Sequence, residues 1–321
     1  MEGRIVIFGE ERGGTLRKAS LEVLSRAGAL RDEGSVETFL VLVGKDVQKA
    51  LDKARGYADY ILPVARDPET LGVDLLVSFL KDRLEGSSLL FAFSSATPLG
   101  LALLAGFSTT FSVPFISQAI DMKVEGGKVL FKKPLFGGRI FVWLEAERPV
   151  AVAFRPNTFP VRAMGLEGRM VEEEFYPEED GRVRTVSVEE REKKGVSLEE
   201  ADVVICGGLG MKEARNFLLL EEIAEALGGA VGASRGAVDA GLRPYEDQIG
   251  KSGKTVSPKV YIGCGVSGAI HHIMGMDTSR VVIAINRDDG APIFRHANYG
   301  IVGDLFEILP LLREELKRSK P

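Results

Sequence analysis

The chain is poor in several residue types that would otherwise fix its class at once. Only two of its 321 residues are cysteine, Cys206 and Cys264. Both lie in apolar, strand-like runs, which excludes a disulfide scaffold and suits a reducing compartment. Histidines number three, including the neighbours His271 and His272. Neither adjacent histidines nor cysteines 58 positions apart match metal-ligand spacing, so no metal centre is expected. No apolar run approaches the roughly 18 residues of a membrane span, and no membrane insertion is expected. Long basic runs are missing and the net charge is −5, which argues against nucleic acid as the main partner. Internal repeats and low-complexity segments are absent. The opening residues run directly into Arg4-Ile5-Val6-Ile7-Phe8, a strand pattern and not a leader, so the expected location is the cytoplasm of a prokaryote.

What remains is a globular composition, 45% hydrophobic and 27% charged, in a chain long enough for two domains. Residues 4–8, Phe39–Val43, Tyr60–Leu62 and Ser88–Phe93 are apolar runs of buried-strand type. Between them, apolar residues recur at helical spacing: Leu16 to Ala27, a charged segment after Gly44, and Val73–Leu84. A further helix is expected from Ser94-Ser95-Ala96-Thr97-Pro98. Strands alternating with helices predict a parallel sheet covered on both faces. From about residue 110 to 187 the rhythm changes to strand-like segments parted by Gly or Pro: Val129–Phe131, Ile140–Leu144, Val150–Phe154, Met170–Phe175 and Val183–Val188. These are expected to form antiparallel edge structure completing a first domain, residues 1–194, with Glu189–Lys194 as a linker. Ser197 to Glu200 has capping-box spacing.

A second α/β domain, 195–321, follows. Its expected strands are Val203–Cys206, Ala230-Val231, Val260–Ile262 and Val281–Ile285. A helix is predicted over Lys212–Leu227, and another from Asp304 that Pro310 should kink or break. Three glycine-bearing turns stand out here: Gly232-Ala233-Ser234-Arg235, Gln248-Ile249-Gly250-Lys251-Ser252-Gly253, and Gly265-Val266-Ser267-Gly268-Ala269-Ile270-His271-His272. Glycine permits the close backbone approach that a phosphate-binding turn needs. Three such turns, each with a hydroxyl or a cation, point to one large phosphate-bearing cofactor wrapped by several loops. Ser267 is expected to open a helix. Because Ile270 stands where a self-contained capping box wants Glu, the Gly268 and Ala269 amides are left for a pyrophosphate. Asn286 ends a strand, where nucleotides bind in open α/β sheets. Asp304, with Glu307 three residues on, reads equally well as a plain cap.

The strings VGASRGAVDAGLRP, QIGKSGKTVSPKVYIGCGVSGAIHHIMGM, VVIAINRDDGAPIF and YGIVGDLFEILPLL, in this order, resemble the alpha subunit of electron-transfer flavoprotein. The likeness extends back through VVICGGLGM and, more loosely, through KKPLFGGRI and VAFRPNTF. It implies two domains, each a mainly parallel sheet flanked by helices, the second Rossmann-like and holding FAD. It also implies a beta subunit as partner, flavin dehydrogenases such as acyl-CoA dehydrogenases as donors, and a membrane quinone oxidoreductase as acceptor. The chain would then be a redox carrier with no substrate reaction of its own. Residue by residue, the resemblance places Ser234 at the pyrophosphate and Arg235 against the flavin ring. Ile249, Gly250 and Lys251 fall in the binding segment, and the Ser252 hydroxyl faces flavin N5. Ser267, Gly268, Ala269, Ile270 and His271 form the phosphate loop, with His272 as a protonated imidazole at the N1/C2=O edge. Asn286, Asp304 and Leu305 surround the adenosine half.

Ser252 stands where the family more usually has threonine and Lys251 where it often has glutamine, but one other departure matters more. Leu209 stands where the Gly-Gly-Arg-Gly turn usually has arginine, and Lys251 or Lys212 could restore the cation. Losing that guanidinium removes a charge-assisted hydrogen bond worth roughly 1.5–3 kcal/mol. Three alternatives stay open: a flavin-depleted subunit, a bifurcating variant whose second flavin lies in the partner, and an NAD-dependent dehydrogenase using Gly207–Gly210. For the last, the turn lacks G-x-G-x-x-G spacing, and Glu221 and Glu222 fall inside a helix instead of ending a strand.

Overall fold

The computed structural model describes residues 2–68, 70–136, 138, 140–172, 175, 185–187 and 196–318. They fall in two compact units, Met1–Pro134 with Phe141–Arg191, and Leu135–Ile140 with Glu192–Pro321. The expected linker 189–194 lies outside the described residues. So does most of the expected strand Val183–Val188, whose described residues 185–187 are not in a strand.

Continuous apolar runs dominate the first unit because its main sheet is covered on both faces. Its elements are β1 (Glu2–Arg12), β2 (Thr15–Leu16), α1 (Lys18–Ala29), β3 (Ser35–Gly44), α2 (Val47–Arg55), β4 (Tyr60–Ala65), α3 (Val73–Leu84), β5 (Leu89–Ser95) and α4 (Pro98–Phe111). They continue with β6 (Phe115–Ala119), β7 (Asp121–Glu125), β8 (Lys128–Leu135), β9 (Ile140–Ala146), β10 (Val150–Phe154) and β11 (Arg169–Met170). The main sheet runs β11-β4-β3-β1-β5-β10-β6, every pairing along it parallel, with β2 folded back on β1. One face packs on α1 and α2 through Leu24, Ala27, Ala50 and Ala54; the other packs on α3 and α4 through Leu76, Leu80, Leu104 and Phe107.

Two expectations for this region need correcting. Val150–Phe154 is not antiparallel edge structure: β10 is fully buried and parallel between β5 and β6. Parallel neighbours need a long crossover, usually helical. Here the crossover from β6 to β10 is the small sheet β7-β8-β9, so the helix that signals a parallel pair is missing from the sequence. Of Met170–Phe175 only the short β11 is strand among the described residues, parallel to β4.

Polar groups are buried at the C-terminal edge of this sheet. The Glu10 carboxylate pairs with Arg17 at 2.7 Å and accepts the Thr97 hydroxyl, while Thr97 caps α4 by accepting from the Gly100 amide at 3.0 Å. Glu22, on α1, accepts the Thr158 amide at 3.1 Å. Burial pushes Glu22 up from 4.5 to about 7, against the opposing pull of Lys18 and the amides of Phe159, Thr158 and Asn157. The folded chain therefore keeps a proton that the unfolded chain has lost. This stabilisation is full below about pH 4.5 and is lost as pH rises through about 7. Urea unfolding of the first unit should show stability falling by about 2–3 kcal/mol from pH 5 to 8. Glu22→Gln should flatten that slope, and an unchanged slope in the variant would remove the assignment.

The second unit holds β12 (Val203–Gly207), α5 (Phe217–Leu227), β13 (Ala230–Ser234), α6 (Arg235–Asp239), β14 (Gln248–Ile249), β15 (Val260–Cys264), α7 (Ile270–Ile273), β16 (Val281–Asn286), β17 (Tyr299–Val302) and α8 (Leu305–Arg318). The sheet order is β14-β13-β12-β15-β16-β17, all parallel. Both units are thus α/β, with mainly parallel sheets flanked by helices. Phe217, Leu220 and Ile223 of α5 pack with Leu305 and Leu309 of α8 on one face; Val256, Ile273, Met276 and Ile293 cover the other. The helix expected from Lys212 begins five residues later, because Lys212 adopts φ 65° and an intervening 3-10 turn spans Ala214–Asn216. Pro310 does not break α8. The Ser197 hydroxyl meets the Glu199 carboxylate at 3.0 Å instead of forming the expected capping box. Among the described residues, no helix is long and apolar enough to cross a membrane.

Candidate cofactor-binding site

Six parallel strands in the second unit bring six chain segments to one edge. From the central β12 the chain steps outward through β13 to β14, then returns to β15 on the other side and continues to β16 and β17. Numbered within the unit this order is 3-2-1-4-5-6, the doubly wound arrangement whose crevice lies where the direction reverses. Here that crevice falls between β12 and β15. Gly207 is in register with Ala233 and Cys264, Ser234 with Ile249, Cys264 with Ile285, and Asn286 with Val302. Ser234, Arg235, Ile249 to Ser252 and Asn286 sit at or just beyond a C-terminal strand end on a shared crest; Ser267 to His272 follow β15 in the next loop and α7, with His272 turned into the core, and Asp304 and Leu305 follow β17.

Hydrogen bonds tie these loops together. At the reversal point the Gly208 amide donates to the Cys264 carbonyl at 2.9 Å and the Gly210 amide to the Gly265 carbonyl at 3.2 Å. A Cβ on Gly208 would lie 2.0 Å from the Gly265 carbonyl oxygen, so this approach requires glycine. Asn286 Nδ2 donates to the Val266 carbonyl at 3.0 Å, and the Lys251 amide to the His271 carbonyl at 2.7 Å.

Ser267 does not open a helix. The four-residue α7 starts at Ile270, and Ser267 lies in the extended loop before it. The expectation of free amides holds, and over a longer run. The amides of Ser267, Gly268, Ala269, Ile270 and His271 donate to no acceptor among the described residues. Consecutive unpaired backbone donors of this kind are what a bound phosphate can satisfy. The donors present therefore fit the pyrophosphate of a dinucleotide.

Side chains around this run differ in how far they are committed. Ser234 caps α6, its hydroxyl accepting from the Ala237 amide at 3.4 Å. Arg235 is exposed and only loosely paired with Asp239 at 3.3 Å. Gln248 Nε2 donates to the Ser252 hydroxyl at 3.0 Å, which leaves that hydroxyl's own proton free to donate outward. Asp304 accepts from the Phe306 amide at 2.8 Å, a simple cap without the reciprocal Glu307 bond. Leu305 is buried, packed close to Gly265 and Gly210. Of the two lysines that could replace the missing arginine, Lys212 stands over the Phe306 ring at 4.8 Å and Lys251 is exposed. Leu209 itself is 58% exposed.

His272 is not a protonated imidazole facing outward. It is 6% exposed, its Nδ1 is 3.1 Å from the Ile249 carbonyl, and its Nε2 is 2.7 Å from the Tyr261 hydroxyl. A carbonyl can only accept, so Nδ1 carries the proton. Burial then pushes the imidazole down from 6.5 to about 4, keeping it neutral, with the Ile249 contact a smaller opposing effect. The exposed imidazole of this pair is that of His271. Two residues absent from the expected binding set therefore matter here. Gln248 orients Ser252, and Tyr261 holds His272. The signal for Tyr261 was a phenol inside an otherwise apolar strand, which requires a buried partner for its hydroxyl.

Comparison with known proteins agrees with this geometry. Residues 5–191 match the electron transfer flavoprotein domain and residues 197–277 the electron transfer flavoprotein FAD-binding domain. The alpha subunit of electron transfer flavoprotein from Bacillus subtilis (strain 168) is 37% identical, covering 99% of this chain and 98% of that one. The chain belongs to the electron transfer flavoprotein alpha-subunit family. The Thermoanaerobacterium thermosaccharolyticum alpha subunit is 35% identical over 98% of both chains, and the mitochondrial one of Arabidopsis thaliana 31% identical over 98% of this chain and 90% of its own. FAD is the cofactor of the family whose model covers the crest from Ser234 to His272. Asn286, Asp304 and Leu305 lie beyond that match. Glu221 and Glu222, the acids a dehydrogenase reading would need, are bonded to Arg243 and Arg313 along α5, and β13 ends in Ser234 instead of an acid.

Proposed function

We propose that this chain is the alpha subunit of a heterodimeric electron-transfer flavoprotein. It would carry electrons from flavin dehydrogenases, such as acyl-CoA dehydrogenases, to a membrane quinone oxidoreductase or a comparable acceptor. Residues 195–321 would hold FAD and residues 1–194 would dock on a beta subunit. The observation that carries this reading is the run of five unpaired amides, Ser267 to His271, on the crest of a 3-2-1-4-5-6 sheet. Bound flavin supplies the electron chemistry, so the chain needs no nucleophile and no acid–base pair. Its own residues bind and orient. The free amides and the Ser234 cap would take the phosphates, and Ser252, already oriented by Gln248, would offer a proton to the ring. Arg235 would add positive charge where the reduced ring carries negative charge. Exposed Phe141, Trp143 and Leu144 on β9 support a partner surface on the first unit.

Stepwise reduction of the co-expressed pair, followed in the visible spectrum, tests the proposal. A yellow complex that takes up electrons one at a time is expected, and protein that stays colourless after FAD is added overturns it. Leu209 offers a finer check. Leu209→Arg returns a guanidinium to the crest and should tighten FAD binding about tenfold or more, read by flavin fluorescence titration. A native complex that already retains its FAD completely would sink the flavin-depleted alternative.

A further inference from the structure

The second core of the second unit contains a polar chain unlike the apolar residues around it. Cys206, Tyr261 and His272 are all buried, with the Cys206 sulfur 3.9 Å and the Tyr261 hydroxyl 2.7 Å from His272 Nε2. The other ring nitrogen reaches the carbonyl of Ile249 at 3.1 Å. Ile249 is the residue immediately before the Gly250–Ser252 turn. That turn is also held from the neighbouring residue, since the Lys251 amide donates to the His271 carbonyl at 2.7 Å. One short segment thus grips the turn twice, once by its backbone at His271 and once by its side chain at His272.

Geometry and burial together set the protons, since burial pushes the imidazole down to about 4 and keeps the ring neutral. The Ile249 carbonyl has no proton, so Nδ1–H donates to it. Nε2 of the neutral ring is then an acceptor, and the Tyr261 hydroxyl must donate. Without that donor, Nε2 would face only the weak Cys206 thiol at 3.9 Å, and the competing tautomer, with the proton on Nε2, would set a bare Nδ1 against the Ile249 carbonyl oxygen. Two acceptors facing each other at that distance repel, and the turn would be pushed away.

We propose that Tyr261 is a positioning residue for the cofactor turn: acting through His272, its hydroxyl holds the imidazole in the Nδ1–H tautomer, which fixes the Ile249 carbonyl and with it Gly250, Lys251 and Ser252. This rests on the proposed FAD role only for its functional consequence. The positioning itself is a property of the chain without cofactor. Cys206 lies beside the same Nε2 and beside the Tyr261 hydroxyl; its thiol, pushed up to about 12 by burial, stays neutral and is the weaker of the two donors.

The test uses the full chain with its co-expressed partner, prepared free of FAD, and the conservative variant Tyr261→Phe. Nitrogen-15 NMR of labelled histidine should show His272 protonated on Nδ1 alone in the native protein and a mixture of tautomers in the variant. Amide hydrogen exchange at Lys251 and Gly253, whose amides donate to the His271 and Gly250 carbonyls, should quicken about tenfold in the variant, while exchange in β12 and β15 away from position 261 stays unchanged. His272→Gln supplies a second background, because an amide has no tautomers to choose between; there, Tyr261→Phe should have no added effect on turn exchange. A native imidazole protonated on Nε2, unchanged turn exchange in Tyr261→Phe, or an equal effect of that change in both backgrounds each overturns the proposal. FAD titration separates the two readings. Weaker binding in step with faster exchange supports both, whereas a native protein that binds no FAD yet shows the expected tautomer and exchange refutes the carrier role alone.

Discussion

Gly268→Ala should abolish cofactor retention and lower the melting temperature of the second unit by about 8–15 °C. Gly268 has φ 82°, a conformation costly for alanine, and a Cβ built there would lie 2.3 Å from the backbone nitrogen of Ile293 and 2.5 Å from its Cα. The obstacle is backbone, so no side chain can swing aside. Ile293 is itself tied to this loop, its amide donating to the Ser267 carbonyl at 3.1 Å. Relief requires moving the loop that carries the five free amides, and with it the donors offered to the phosphates. Strain and overpacking together are worth about 3 kcal/mol. Calorimetry and flavin absorbance of the purified complex measure both effects, and a variant that keeps its colour and its melting point would show that the loop is not the holding element.

The second large effect lies in the other unit and should leave the cofactor alone. Arg17→Met removes the cation from a carboxylate whose side chain is only 9% exposed. Glu10 would keep the Thr97 hydroxyl but lose its counter-charge, and removing one member of a buried pair typically costs about 3–5 kcal/mol. The double variant Glu10→Gln, Arg17→Met should recover most of that loss, since neither residue is then an unmatched charge. Denaturant unfolding of the three variants gives the comparison. A single variant within about 1 kcal/mol of the native chain would mean that the pair is effectively solvated.

How far the sequence revealed this molecule depends on which signal each element carried. Strands β1, β3 and β5 and helix α3 were legible because both faces of the first sheet are covered, so apolar runs and helical spacing alternate cleanly. Val150–Phe154 had the apolar run of a buried strand, but its neighbours were strands, and the antiparallel assignment followed from them. β2, β6, β7, β14 and β17 are not legible in the same way: β2 and β14 are two residues long, and β17 is exposed along its length and carries no burial pattern. In the candidate site, glycine spacing located the turns and their shared crest. It could not give side-chain direction within a single turn. His271 and His272 are adjacent, and only packing against Tyr261 and Ile249 decides which ring faces the core. Likewise Lys212 looked like the start of a helix until its backbone proved left-handed, a property its side chain does not announce.

A sheet wound in the 3-2-1-4-5-6 order has a consequence for assembly. The crest is completed only when β17, the last of the six strands in the chain, is laid beside β16, so no shorter fragment presents the whole holding surface. Loading of a dinucleotide held also by Asp304 and Leu305 is expected after folding of the entire unit, and its binding free energy would then be shared by every strand. In cells short of flavin, the expected sign of an empty carrier is cleavage by proteases across this unit as a whole, with no single weak loop standing out.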